Sequence, residues 1–133
     1  MGKVIDFLAR TVGRTLYVRV RKNRIDLRHV ETGTEFGLEA QPPFTSARLL
    51  LADLSAAARM LKLGIGKTIG RFGLAPTIVF HPMDMVDGGL SEVEEASYLK
   101  LGYEAGARDV MVLTGTEISN PELREIMKVR RQA

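Results

Sequence analysis

The sequence predicts a mixed α/β (α+β) fold, an N-terminal β-hairpin and meander followed by alternating helices and strands. Three observations predict it. Residues 15–21 and 24–30 alternate apolar and polar side chains with period two. Residues 54–69 and 92–105 carry the caps and apolar spacing of helices. The apolar runs 77–81 and 109–114 have the length of buried strands. At 133 residues the chain has the size of one domain, spanning 1–133, and can bury a core without staples.

Taken in order, residues 1–13 are expected to form an N-terminal amphipathic helix. Val4, Ile5, Leu8 and Val12 recur at helical spacing, and Gly13 is a natural stop. So short a helix is marginal alone in water and must dock onto something, either the domain's own sheet or a membrane interface. In the first strand Leu16, Val18 and Val20 share a face, and in the second Ile25, Leu27 and His29 do so. Lys22 and Asn23 suit a two-residue turn between them, because Asn tolerates positive φ. A second turn at 31–34 leads into a short third strand at 35–39, and Gln41-Pro42-Pro43 then breaks regular structure.

Residues 46–52 read equally as a buried strand or the start of a helix. Asp53 is an N-cap for a helix over 54–69, with Leu54, Ala57, Ala58, Leu61 and Ile65 on one face. Gly64, Gly66, Gly70 and Gly73 are expected to weaken its end. Ser91-Glu92-Val93-Glu94 is a capping box opening a helix that Gly106 closes. Asn120 followed by Pro121 suggests an N-cap and a last helix over 121–130.

Composition excludes several chemistries. The hydrophobic share of 45% and charged share of 26% belong to an ordinary globular chain. Without cysteine there is no disulfide, thiolate metal site or thiol nucleophile. His29 and His81 are too few for a histidine-only metal site, and both read as satisfied core residues. No apolar run spans a bilayer and no signal peptide is evident, so a cytoplasmic location is the default expectation. The net charge of +3 is uneven. Lys3, Arg10, Arg14, Arg19, Arg21, Lys22, Arg24 and Arg28 face only Asp6 and Asp26 in the first 30 residues, and the rest of the chain is net acidic. A basic end of this kind is either a solvated face or a contact for an anionic partner. Lys3, Arg10, Arg14 and Arg19 are the candidate membrane or partner contacts.

Three motifs invite chemistry. Gly64-Ile65-Gly66-Lys67-Thr68 resembles the end of a phosphate-binding loop, but the glycine such a loop needs five positions earlier is Leu61. Val86-Asp87-Gly88-Gly89-Leu90 precedes a helix N-terminus, yet its acidic surroundings favour a divalent metal over an anion, with Asp84 and Asp87 as candidate ligands. Asp26, Asp53 and Asp84 would make a two-metal nuclease cluster only if they converged in space. No serine or threonine has a recognisable base partner.

The segment 77–115, TIVFHPMDMVDGGLSEVEEASYLKLGYEAGARDVMVLTG, resembles the bacterial actin-like proteins of the MreB type. In that family an apolar strand ending in proline leads through a short loop into a glutamate- and arginine-rich helix. A Gly-Ala-Arg-acidic turn and another apolar strand follow. The counterparts here are Thr77 to Pro82, Ser91 to Ala105, Gly106-Ala107-Arg108-Asp109 and Val110 to Leu113. TLYVRVRKNRIDL resembles the family's early hairpin, and Leu54 to Gly70 stands where its first long helix lies. The resemblance implies an actin-like, ribonuclease-H-like half domain.

It also implies where ATP would be held, and here the chain departs from the pattern. The family grips phosphate with a glycine-rich Asp-x-Gly-Thr hairpin, whereas the matching turn here is Arg21-Lys22-Asn23-Arg24. The second phosphate loop and adenosine pocket belong to the other half of a full-length protein. The expectation is therefore a non-catalytic interaction or scaffold module of the actin-like cytoskeleton without cofactor, connected with cell shape and working through a protein partner or self-association. It would use an exposed strand edge near 15–30 and sit in the cytoplasm or at the inner membrane face. One alternative is an ATP- and Mg-binding enzyme whose cleft a second chain completes, with Arg21, Lys22 and Arg24 holding the anion. The other is a binder of anionic membrane or nucleic acid through the basic first 30 residues. Nucleic acid is the weaker branch, since the basic strands offer Tyr17 alone as a stacking ring.

Overall fold

The computed structural model describes residues 14–70 and 73–132. Strands β1 (Thr15–Arg21), β2 (Arg24–His29) and β3 (Glu35–Glu39) form an antiparallel meander. Helix α1 (Leu54–Thr68), strand β4 (Thr77–Pro82), helix α2 (Glu92–Glu104), strand β5 (Asp109–Val112) and helix α3 (Asn120–Gln132) follow. The sheet order is β3-β2-β1-β4-β5, with β1, β4 and β5 parallel. The mixed α/β fold and the element order are as the sequence predicts. The expected helix over residues 1–13 lies outside the described residues.

Each face of the sheet has its own cover. Leu16, Val18, Val20, Ile25 and Leu27 pack with Ala56, Ala57, Ala58 and Leu61 of α1 and with Tyr98 and Leu101 of α2. On the other face Tyr17, Val30 and Val79 pack against Leu123 and Met127 of α3. β1 is therefore buried on both faces, and burying a side chain such as Leu16 or Leu123 stabilises the fold by about 2 kcal/mol. With α1 and α2 on one face and α3 on the other, the carboxyl ends of β1 and β4 lead into the Arg21–Arg24 turn and the loop after Pro82.

The caps carry the predicted logic with one exception. Asp53 accepts from Ala56 N, and Ser91 and Glu94 close a full capping box. Gly106, at φ +100°, ends α2 in the left-handed region that favours glycine. For α3 the capping residue is Ser119 and not Asn120. Ser119 Oγ accepts from Glu122 N at 3.4 Å and its carbonyl accepts from Leu123 N at 3.0 Å, which makes Ser119-x-x-Glu122 a second S-x-x-E start.

Three further expectations are corrected. Residues 46–52 form neither strand nor helix but a loop that buries Leu50 and Leu51. Gly64 does not fray α1. The helix continues to Thr68, and Gly64 is buried where an added Cβ would stand 2.6 Å from Leu27 Cδ1 and 2.9 Å from Leu38 Cδ1. Finally, strands 15–21 and 24–29 offer no edge, because β1 and β2 are interior and the edges are β3 and β5.

Candidate functional site

The carboxyl ends of β1 and β4 lead into the turn Arg21-Lys22-Asn23-Arg24 and the loop that follows Pro82. Asn23 takes φ +52°, the conformation this two-residue turn requires. Its backbone groups and its side-chain oxygen are all engaged. Asn23 N donates to Thr45 Oγ1 at 3.0 Å, its carbonyl accepts from Ala40 N at 2.8 Å, and its Oδ1 accepts from Phe44 N at 3.0 Å and Thr45 N at 2.8 Å. Thr45 Oγ1 in turn donates to Leu50 O at 2.8 Å. The turn thus clamps the whole 40–53 loop, placing Phe44 in the core.

The other amide of the turn is also engaged. Lys22 N donates to Asp84 Oδ2 at 2.9 Å, and Met83 N donates to Val20 O at 2.9 Å, which ties the loop after β4 to the hairpin. A phosphate grip needs free backbone amides and no competing anion. Here the Lys22 amide already holds a carboxylate and the Asn23 amide a hydroxyl.

The basic residues singled out from the sequence do not converge. Arg24 pairs with Asp26 at 3.0 Å and Glu39 at 3.2 Å, and the hydrogen bond to Asp26 raises its pKa further. Arg19 pairs with Glu117 at 2.7 Å and is largely covered. Arg14 donates to Ile69 O at 2.8 Å, holding the start of β1 to the end of α1. Arg21 is half-buried and Lys22 exposed on the turn. Lys3 and Arg10 lie outside the described residues.

The acidic candidates are equally dispersed. Asp26 serves Arg24, Asp53 caps α1, and Asp84 serves Lys22 N, while Asp87 is exposed. The three carboxylates of the two-metal expectation thus have separate partners. Among the described residues no group of three or more His, Cys, Asp or Glu side chains comes together to hold a metal. Gly64 to Thr68 is regular helix, where Thr68 Oγ1 donates back to Gly64 O at 2.9 Å, so it presents no phosphate loop.

A second polar cluster, not foreseen from the sequence, lies under the 113–119 segment. Tyr17 OH and His81 Nδ1 are 2.6 Å apart, and His81 Nε2 lies 2.9 Å from Gly115 O. A carbonyl only accepts, so Nε2 carries the proton and the Tyr17 hydroxyl donates to Nδ1. Ile118 N donates to the Tyr17 oxygen at 3.2 Å, and Arg28 stacks 4.7 Å above the ring while donating to Ile118 O at 2.7 Å. Burial raises the Tyr17 pKa. Tyr17 and His81 are both fully buried, and the pair fastens the 113–119 segment to β1 and β4. His29 is likewise buried, with Thr32 Oγ1 at 2.8 Å and Glu31 Oε1 at 3.3 Å.

Among the described residues no helix is long and apolar enough to cross a membrane. Comparison with protein-family models, with curated proteins and with solved structures finds no match.

Proposed function

We propose that this chain is a non-catalytic interaction or scaffold module related to the bacterial actin-like (MreB-type) cytoskeleton. It acts in the cytoplasm or at the inner membrane face, in the determination of cell shape. The observation that carries this reading is the occupied hairpin. The turn at the position of the family's phosphate grip, which lacks that grip's glycine and aspartate, uses its Lys22 and Asn23 amides on Asp84 Oδ2 and Thr45 Oγ1. An anion arriving there would have to displace a carboxylate and undo the clamp on the 40–53 loop. The element order agrees with what the resemblance implies. The dispersal of Arg19 and Arg24 into internal ion pairs favours this reading over a general anion binder.

The test is association. Purified chain is mixed with a reconstituted MreB-type filament protein and sedimented, and its own oligomeric state is followed by analytical ultracentrifugation across concentration. Co-sedimentation or self-association is the expected result. A chain that stays monomeric and in the supernatant throughout would overturn the proposal.

A further inference from the structure

β3 is the last strand of the sheet, and among the described residues nothing pairs with its outer edge. The ladder fixes which of its groups face outward. His29 N donates to Thr34 O at 2.8 Å and Ala40 N to Asn23 O at 2.8 Å. By the alternation of antiparallel pairing, Phe36 and Leu38 also bond inward to β2, and the amides and carbonyls of Glu35, Gly37 and Glu39 point away from the sheet. The other edge is guarded. Arg130 holds Asp109 through two bonds of 2.9 Å and reaches Val110 O at 3.4 Å, placing a long cationic side chain along β5.

The side chains of β3 alternate in character. Glu35 and Glu39 share a face with Gly37 and are exposed, whereas Phe36 and Leu38 are half-buried on the α1 side. Arg24 engages Asp26 and Glu39, but among the described residues Glu35 makes no ion pair. Over Gly37 itself the space is taken by the Arg24–Asp26 pair, whose Nη2 and Oδ1 stand 2.5 Å and 2.6 Å from where a Cβ would be. Beside it lies a shallow depression of about 160 Å³ lined by Arg19, Asp26, Glu35 and Phe36. A second copy of β3 is a poor occupant. Antiparallel self-pairing centred on Gly37 sets Glu35 opposite Glu39 twice, and like charges directly opposite destabilise a strand pair.

We propose that the open edge of β3 docks an extended segment of a partner protein in which basic and apolar residues alternate. Backbone bonds to Glu35, Gly37 and Glu39 add the segment as a sixth strand. Its basic side chains lie beside the two glutamates and the depression next to Gly37, and its apolar ones continue the Phe36 and Leu38 side. The proposal rests on the interaction reading above and names its surface.

The probe is a soluble peptide alternating arginine and valine over about seven residues, long enough for one strand. It is titrated into the full chain and followed by backbone amide NMR. The expected shifts centre on Glu35, Gly37 and Glu39, and a glutamate–valine peptide gives none. The double substitution Glu35→Lys, Glu39→Lys, at two exposed positions, weakens binding by about tenfold or more through charge reversal. A peptide N-methylated at alternate residues on its bonding edge fails to bind the unaltered protein, which tests the strand geometry without any folding risk. Shifts located elsewhere, an affinity indifferent to the charge reversal, or no binding at millimolar peptide would each overturn the edge proposal. Those outcomes leave the association experiment above to judge the module itself.

Discussion

Replacing Gly64 by alanine separates two physical roles for the glycine-rich end of α1. If Gly64 merely loosened a helix terminus, alanine would gain about 0.8–1 kcal/mol of helix propensity. The structure opposes that gain with a steric cost. The new methyl would stand 2.6 Å from Leu27 Cδ1, 2.9 Å from Leu38 Cδ1 and 3.1 Å from Leu27 Cδ2. Leu27 is 1% exposed and cannot swing into solvent, so either it leaves its rotamer or α1 lifts off β2 and β3. Overpacking of this kind costs typically about 1–3 kcal/mol. The cost exceeds the propensity gain over most of that range, for a net destabilisation of up to about 2 kcal/mol, or a fall in Tm of several degrees. Urea unfolding followed by circular dichroism reads the difference as a lower midpoint at unchanged slope. A midpoint that rises would refute the close-packing argument and restore the loose-end reading.

Other perturbations have equally direct readouts. Asn23→Gly keeps the φ of +52° but removes the Oδ1 acceptor of Phe44 N and Thr45 N, so stability falls by about 1–3 kcal/mol. Hydrogen exchange at Phe44 and Thr45 accelerates beyond the global change, and exchange left as in the parent would contradict the clamp. Of the three tyrosines, Tyr17 and Tyr98 have pKa values raised chiefly by burial. A phenol whose folded pKa lies above its unfolded value of 10.0 adds stability that is full below pH 10 and is lost as the pH rises further. Spectrophotometric titration should therefore show two phenols ionising late, together with unfolding. Independent ionisation of Tyr17 and Tyr98 near pH 10 would count against the packing. The Arg130 hydrogen bond lowers the Asp109 pKa below its ordinary 3.8, so that pair's contribution is present above about pH 4 and fades as the pH falls through the lowered value. Because both side chains are more than a third exposed, screening limits it to less than about 1 kcal/mol, and Arg130→Gln should flatten the acid limb of the stability curve only slightly.

The parts legible in the sequence are those that local chemistry fixes. Period-two alternation located β1 and β2, Asp53 and Ser91-x-x-Glu94 located two helix starts, and Asn23 located a turn. Ser119-x-x-Glu122 carries the same S-x-x-E signature one residue ahead of the Asn120-Pro121 pair. What escaped the sequence depends on distance along the chain. Alternation shows which face of a strand is apolar but not whether the strand lies at the centre or the rim, so the edge fell to β3 rather than to residues 15–30. The Asn23 clamp on Thr45 and the Tyr17–His81 bond join residues 22 and 64 positions apart, and no spacing rule announces either. The same holds for the dispersed carboxylates and arginines, because residue type names a possible ligand and only the fold shows its prior partner.

The proposed function turns on whether the Arg21–Arg24 turn clamps the 40–53 loop or grips a nucleotide. Titration of the labelled chain with Mg-ATP, read by backbone amide shifts, tests it most directly. A clamp gives no localised shifts at Lys22, Asn23, Asp84 or Thr45 up to millimolar nucleotide, and the amides held by Asp84 and Thr45 remain protected. Saturable shifts at those four positions would contradict it. They would return the chain to the class of ATP binders, with Arg21, Lys22 and Arg24 as the groups holding the anion.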